Sequence, residues 1–229
     1  MTRNRTVVAL DATADLCSVA WSDGVHWIER SESAGQRHSA LIIAMVDSIL
    51  REAGVRLSDL SEVAFGAGPG SFTGLRIACG VAQGLALGAN LPVRAVSSLL
   101  ALAQASGRDA VVAVLDARMN EVYWAAYRRQ AAGSAWHTAS APAVAPVAAV
   151  RWPAGERWFG AGNGFSAFPA LGAGSPLLAG CDPALRVTAR EIAELALTDH
   201  GVLDAADQAF PHYVRDKVAL TTLERAGAR

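Results

Sequence analysis

The sequence predicts an α/β protein made of two related lobes, and three observations carry that prediction. The stretch Val112-Ala113-Val114-Leu115-Asp116-Ala117 closely repeats Val7-Val8-Ala9-Leu10-Asp11-Ala12, and the two copies start about half a chain apart. Each copy is an apolar strand that stops at Asp-Ala and is followed by a further β-type run, so one βββ-plus-helix unit occurs twice. Residues 63–87 read as strand, glycine loop and helix, with the loop written GAGPGSFTGLR at 66–76.

The elements follow in order. Residues 6–10 are β-branched or apolar throughout and form the first strand. Runs at 18–21 and 25–29 flank Ser22-Asp23-Gly24, where Asp-Gly between apolar runs signals a hairpin. Ile42, Met45 and Ile49 recur at helical spacing over 39–53, and Gly54 stands where a C-cap glycine belongs. A short strand at 63–65 runs into the glycine loop, with Ser71 or Thr73 as the cap of a helix over 75–87. A strand at 92–96 leads to Ser97-Ser98, which caps a helix through Ala105. Past the second copy, 121–127 is a strand, whereas the Ala- and Pro-rich residues 130–153 are expected to be an insertion outside the core, loop-like or at most a weak strand and helix. A strand at 157–160 breaks at GAGNG, and Val187, Ile192, Leu195 and Ala196 mark a closing helix behind Thr188. From Pro211 the chain is a short extended piece with a polar end.

Composition narrows the function. With 52% hydrophobic residues in 229, the chain can bury a core without staples. Cys17, Cys79 and Cys181 form neither a disulfide framework nor a zinc pattern, which fits a reducing cytoplasm. No signal peptide is legible, and no stretch approaches the roughly 20 apolar residues of a membrane span. Net charge is −1, and the basic residues are scattered apart from Arg128-Arg129 and Arg215 with Lys217, so nucleic-acid binding by this chain alone is disfavoured.

The candidate sites are tested one by one. The glycine loop lacks the lysine of a P-loop, since Leu75 and Arg76 follow Gly74, and neither glycine register completes GxGxxG. What remains is a helix N-terminus at Gly70, Ser71 and Thr73, which either holds an anion or caps its own amides. Gly80, Gly84 and Gly88 fall on one face of the next helix, bordered by Arg76 and Gln83; such a stripe packs closely on the helix at 39–53 or on another subunit. Asp11 and Asp116 end equivalent strands, where phosphotransferases of the actin and sugar-kinase type place carboxylates for magnesium. Those sites need a glycine turn after each aspartate, and here Arg118, Met119 and Asn120 would obstruct a phosphate. His38 lacks the second histidine of HxxxH, because position 42 is Ile, so no metal site is expected. His26, His137, His200 and His212 are isolated, and no hydrolytic triad can be assembled.

Four stretches together, LDATADLCSVAW, GAGPGSFTGLRIACGVAQGLALG, LDARMNEVYWAAY and YVRDKVA, resemble the bacterial TsaB family, also called YeaZ. The resemblance covers nearly the whole chain and is densest over 7–127. It implies a two-lobed, actin-like fold with duplicated βββαβα units: residues 1–106 as the N-terminal lobe carrying the partner-binding helices, and 107–229 as a smaller, degenerate lobe with a tail. It also implies a non-catalytic subunit, without a cofactor, that binds TsaD and acts with TsaE in threonylcarbamoyl transfer to the adenosine beside the anticodon of tRNA. The tRNA would be met only through the complex. The alternative on this fold is an ATP-dependent phosphotransferase or a glycoprotease-like enzyme. The implied TsaD interface falls on 38–53 and 73–88 and includes His38, Ile42, Met45, Arg76, Gly80, Gln83 and Gly84. The same face would serve a homodimer of the isolated chain.

Overall fold

The computed structural model describes residues 5–33 and 37–215; the polar end of the tail, with Lys217, lies outside them. The chain opens with an antiparallel meander of β1 (Val7–Asp11), β2 (Leu16–Ser22) and β3 (Trp27–Ser33). Asp23 turns the hairpin by accepting the amides of Val25 and His26 at 2.9 and 2.7 Å, so β3 begins two residues later than the apolar run suggests. Helix α1 (His38–Ala53) buries Ile42, Met45, Val46 and Ile49 on one side and ends at Gly54, whose φ is +68°. Then come β4 (Glu62–Gly68), α2 (Phe72–Ala89), β5 (Val93–Ser97) and α3 (Ser98–Ala105). Ser71 and Ser97 are the two N-caps, each accepting an amide of its own first turn.

The second half repeats the plan with β6 (Ala110–Arg118), β7 (Glu121–Arg128), β8 (His137–Pro146), β9 (Trp158–Ala161), the single-turn α4 (Gly164–Ala167), β10 (Leu178–Asp182) and α5 (Ala189–Leu197). The first sheet contains the order β5-β4-β1-β2-β3 and the second β10-β9-β6-β7-β8. Parallel and antiparallel pairings also correspond, with β1/β4 and β6/β9 parallel and β1/β2 and β6/β7 antiparallel. One strand order occurring twice is the duplication that the Asp-Ala repeat predicts. The second lobe is reduced where the first carries α1 and α2: those places hold a 3-10 turn, Val147–Ala149, and α4.

One expectation is overturned. Residues 130–153 are not an insertion outside the core, because they contain β8, the third strand of the second sheet, paired with β7 from Glu121↔Pro146 to Arg128↔His137. β8 is an edge strand with mostly exposed side chains, which is why Pro142 and Pro146 are tolerated there and why it lacks an apolar pattern. The short strands β10 and β11 (Val202–Asp204) were not legible either.

The lobes share a core. α3 packs on β6 and β7 and against α5, while α5 packs on β1, β2 and β4. Leu99 and Leu102 of α3, Ile192 and Leu195 of α5, and Val7, Ala9, Val111 and Ala113 of the two central strands make one continuous apolar cluster. Each buried leucine or isoleucine contributes about 1.5–3 kcal/mol. α5 is started by a capping box, in which Glu191 accepts the amide and hydroxyl of Thr188 at 2.9 Å. β11 then pairs antiparallel with β5, so a division at 106/107 leaves α5 and β11 on the first sheet. A buried ion pair, Arg94 to Glu62 at 2.8 Å, holds this return, with Arg5 bridging Glu62 and Asp199 while Asp199 also accepts from Arg94. Multiple partners of this kind are what make a buried pair tolerable.

Candidate functional site

The glycine loop is explained by packing against the turn after β1. A side chain on Gly66 would run into the Asp11 carboxylate, and one on Gly70 would stand 2.6 Å from the Thr13 carbonyl oxygen. A methyl on Gly74 would be driven into the Ala12 carbonyl oxygen, a backbone atom that cannot step aside. The loop is held there by the Ser71 amide, which donates to the Thr13 carbonyl at 2.8 Å. Ser71 is the cap, its hydroxyl accepting the Gly74 amide at 3.3 Å, while Thr73 is exposed. These glycines let helix α2 approach the first strand.

The two repeat aspartates differ, Asp11 being the last residue of β1 and Asp116 lying two residues before the end of β6. Asp11 is fully buried and accepts from the Thr13 hydroxyl at 2.9 Å. Burial pushes its carboxyl up to about 7, against the opposing pull of its Thr13 hydrogen bonds and with a small contribution from Glu191. Asp116 lines an interlobe cleft of about 510 Å3 together with Thr13, His38, Ser71, Arg118 and Arg186. Its Oδ1 accepts the Arg118 amide at 2.8 Å and its Oδ2 pairs with Arg118 Nη1 at 3.2 Å. Arg118, Met119 and Asn120 have φ of +63°, +54° and +60°, three consecutive left-handed residues without a glycine among them. Such backbone costs about 1–2 kcal/mol per residue, and it folds the arginine back onto the carboxylate. One aspartate is thus sealed in the core and the other is engaged by its own turn.

The residues expected at a partner face separate into four groups. Ile42 and Met45 are not on it: they are 0% and 9% exposed and pack in the first core with Ile49, because the helical period of α1 records the face that meets its own sheet. His38 lies at the cleft, half-buried, with Nε2 3.2 Å from the Ala14 carbonyl oxygen. Gln83 is committed within the chain, donating to the Ala209 carbonyl at 3.1 Å. Arg76, Gly80 and Gly84 do share an exposed face, and Gly88 continues it. Nothing stands within 4 Å of a Cβ built on Gly80, Gly84 or Gly88, so the stripe does not pack on α1.

Sequence reasoning missed Ile43 and Leu87, exposed by 57% and 61%, and Phe72 at the head of the stripe. The spacing of four from Phe72 through Arg76, Gly80, Gly84 and Gly88 was the available signal. α2 is also the exception to the expectation about membrane spans. Its 18 residues have a mean hydropathy of 1.2, long and apolar enough to cross a membrane by length and composition, yet only 33% of them are buried. The two basic clusters are engaged in ion pairs where described, Arg128 with Glu156 at 3.2 Å, Arg129 with Asp109 at 2.8 Å and Arg215 with Glu121.

Comparison with known proteins gives the geometry a context. A family model described as TsaD, tRNA N6-adenosine threonylcarbamoyltransferase, matches residues 30–200. The tRNA threonylcarbamoyladenosine biosynthesis protein TsaB of Escherichia coli is 39% identical over 227 residues, which spans 93% of this chain and 96% of that protein. A solved structure of YeaZ from Pseudomonas aeruginosa superposes with a TM-score of 0.79 at 39% identity, covering 91% of this chain and 99% of that one. A second structure from Pseudomonas aeruginosa, described as an uncharacterized protein with similarity to peptidase YeaZ, gives 0.82 at the same identity and covers 92% and 100%. With the repeated strand order, 39% identity and near-complete coverage of these relatives, the chain belongs to the TsaB (YeaZ) family, the two-lobed, actin-like proteins of tRNA threonylcarbamoyladenosine biosynthesis.

Proposed function

We propose that this chain is a non-catalytic scaffold subunit in the cytoplasm. It binds a TsaD-type transferase through the exposed face of α2 and the adjoining surface of α1, and TsaE joins the pair. It supports transfer of the threonylcarbamoyl group to the adenosine beside the anticodon, and tRNA is met through the complex. The observation that carries this reading is the glycine stripe. Three glycines on the exposed face of a helix cost about 1 kcal/mol each relative to alanine, and no neighbour within the described residues requires a glycine there. A second helix laid across the stripe would recover that cost by close approach of the two backbones. The enclosure of Asp11 and the engagement of Asp116 by Arg118 support a subunit whose role is not phosphoryl transfer. In the partner's absence the same face is open to a second copy of the chain.

Gly84→Leu tests the face. The folded monomer should be as stable as the parent or slightly more so, because leucine is the better helix former and meets open space. Complex formation with the TsaD subunit on size-exclusion chromatography should be abolished, and so should modification in a reconstituted assay from which each subunit is also omitted in turn. A folded Gly84→Leu protein that assembles and supports modification normally would overturn the proposal.

A further inference from the structure

The head of the stripe carries a cluster that the glycines do not explain. Arg76 is the sole charged residue of α2, and its guanidinium lies 3.9 Å from the Phe72 ring centroid. Its Nε donates to the Tyr213 hydroxyl at 3.2 Å, and the Tyr213 and Phe72 rings pack with centroids 6.0 Å apart. Among the described residues no carboxylate lies within ion-pair distance of Arg76. Phe72 and Tyr213 remain 50% and 48% exposed, large aromatic surfaces left in solvent around a cation with no carboxylate partner among the described residues.

Tyr213 is brought there by a strap formed from residues 209–215. The Ala209 carbonyl accepts from Gln83 Nε2 at 3.1 Å and from the Cys79 thiol at 3.4 Å. The His212 amide donates to the Ala67 carbonyl at 2.7 Å, and Arg215 pairs with Glu121 on the second lobe. The tyrosine is therefore fixed from both sides, and the arginine is pre-ordered by two rings.

We propose that Arg76 is the anchor through which this face takes a carboxylate from the partner's helix, and that Tyr213 is a positioning residue that aims it. The inference rests on the reading of α2 as the partner face and adds the chemistry of what docks there. An arginine flanked and pre-ordered by aromatics is the composition that dominates interface energetics. With Nε held by Tyr213, and with no side-chain acceptor on the terminal nitrogens among the described residues, those nitrogens are placed to bond a carboxylate. The partner helix crosses the stripe with small residues, and its Asp or Glu lies about 12 Å along from the contact at Gly84, the rise of eight helical residues.

Titration calorimetry of the full chain against the TsaD subunit tests this. Arg76→Glu should weaken binding on the order of 100-fold or more, because it sets two carboxylates face to face. Arg76→Lys should weaken it about tenfold, since the planar fork is lost. Tyr213→Ala should weaken it about tenfold, and a double-mutant cycle with Arg76→Ala should be strongly non-additive. Thermal melts of the free proteins should be unchanged. If Gly84→Leu blocks assembly while Arg76→Glu and Tyr213→Ala bind within twofold of the parent, the anchor is refuted and the partner face stands. If Gly84→Leu assembles normally, both fall. If Arg76→Glu breaks only a homodimer and leaves the mixed complex intact, the carboxylate belongs to a second copy and the proposal fails.

Discussion

Gly74→Ala is expected to cost more than about 4 kcal/mol or to prevent folding altogether, the range reserved for substitutions that force a core apart. The new methyl would collide with the Ala12 carbonyl oxygen, and neither can turn aside, since the methyl is fixed directly to the helix backbone and the oxygen is itself a backbone atom. α2 could escape only by lifting off β1, which would expose Leu75, Ala78 and Ala82. Gly80→Ala, six residues along the same helix, should instead gain up to about 1 kcal/mol, because its methyl meets nothing within 4 Å. Urea denaturation of the two proteins makes the comparison. A Gly74→Ala midpoint close to that of the parent would show that α2 does not press on the first strand as described.

Asp11→Asn is expected to stabilise the protein, by an amount that depends on pH. The folded carboxyl titrates near 7, raised mainly by burial, against about 3.9 in an unfolded chain. Below pH 4 both states are protonated and the aspartate carries no penalty. Between pH 4 and 7 the unfolded state has released its proton while the folded state still holds it, so stability falls as pH rises, and the penalty is complete above 7. The amide removes that slope. At pH 8 it should add on the order of 3–4 kcal/mol, roughly 10 °C in melting temperature for a chain of this size. At pH 4 the two proteins should melt together. Parallel melting curves across the whole range would sink the prediction. Support of tRNA modification should survive the substitution, whereas a phosphotransferase relying on Asp11 for magnesium would lose its activity.

Much of the fold was legible because local and global signals agreed. The Asp-Ala repeat announced two central strands, and the Thr188 and Ser71 caps marked helix starts. What escaped had no local signature. β8 is an edge strand exposed along most of its length, and β11 is three residues long and owes its existence to the open edge of β5. In α1 the apolar spacing of Ile42 and Met45 marks the helix, whereas the partner face that the resemblance implied took in these two residues, which contact the chain's own sheet; the outward side is marked by the out-of-phase Ile43. The stripe of α2 is visible as a pattern in the sequence, but that its glycines face open space is a property of the folded chain alone. Tyr213 lies far along the chain from Phe72 and Arg76, and no spacing rule joins them.

The return of α5 and β11 to the first sheet has a consequence for the order in which the molecule can be made. Until residues 189–204 leave the ribosome, the N-terminal lobe has β5 as a bare edge, and the strand face formed by Val7, Ala9 and Ala64 lacks its α5 cover. Glu62 and Arg94 wait with it for Asp199. Synthesis at about 5–20 residues per second leaves that nascent lobe sticky for several seconds, in the period when chaperones act. The lobe that comes first in the sequence is completed last, and a fragment ending near residue 106 would be caught permanently at that stage.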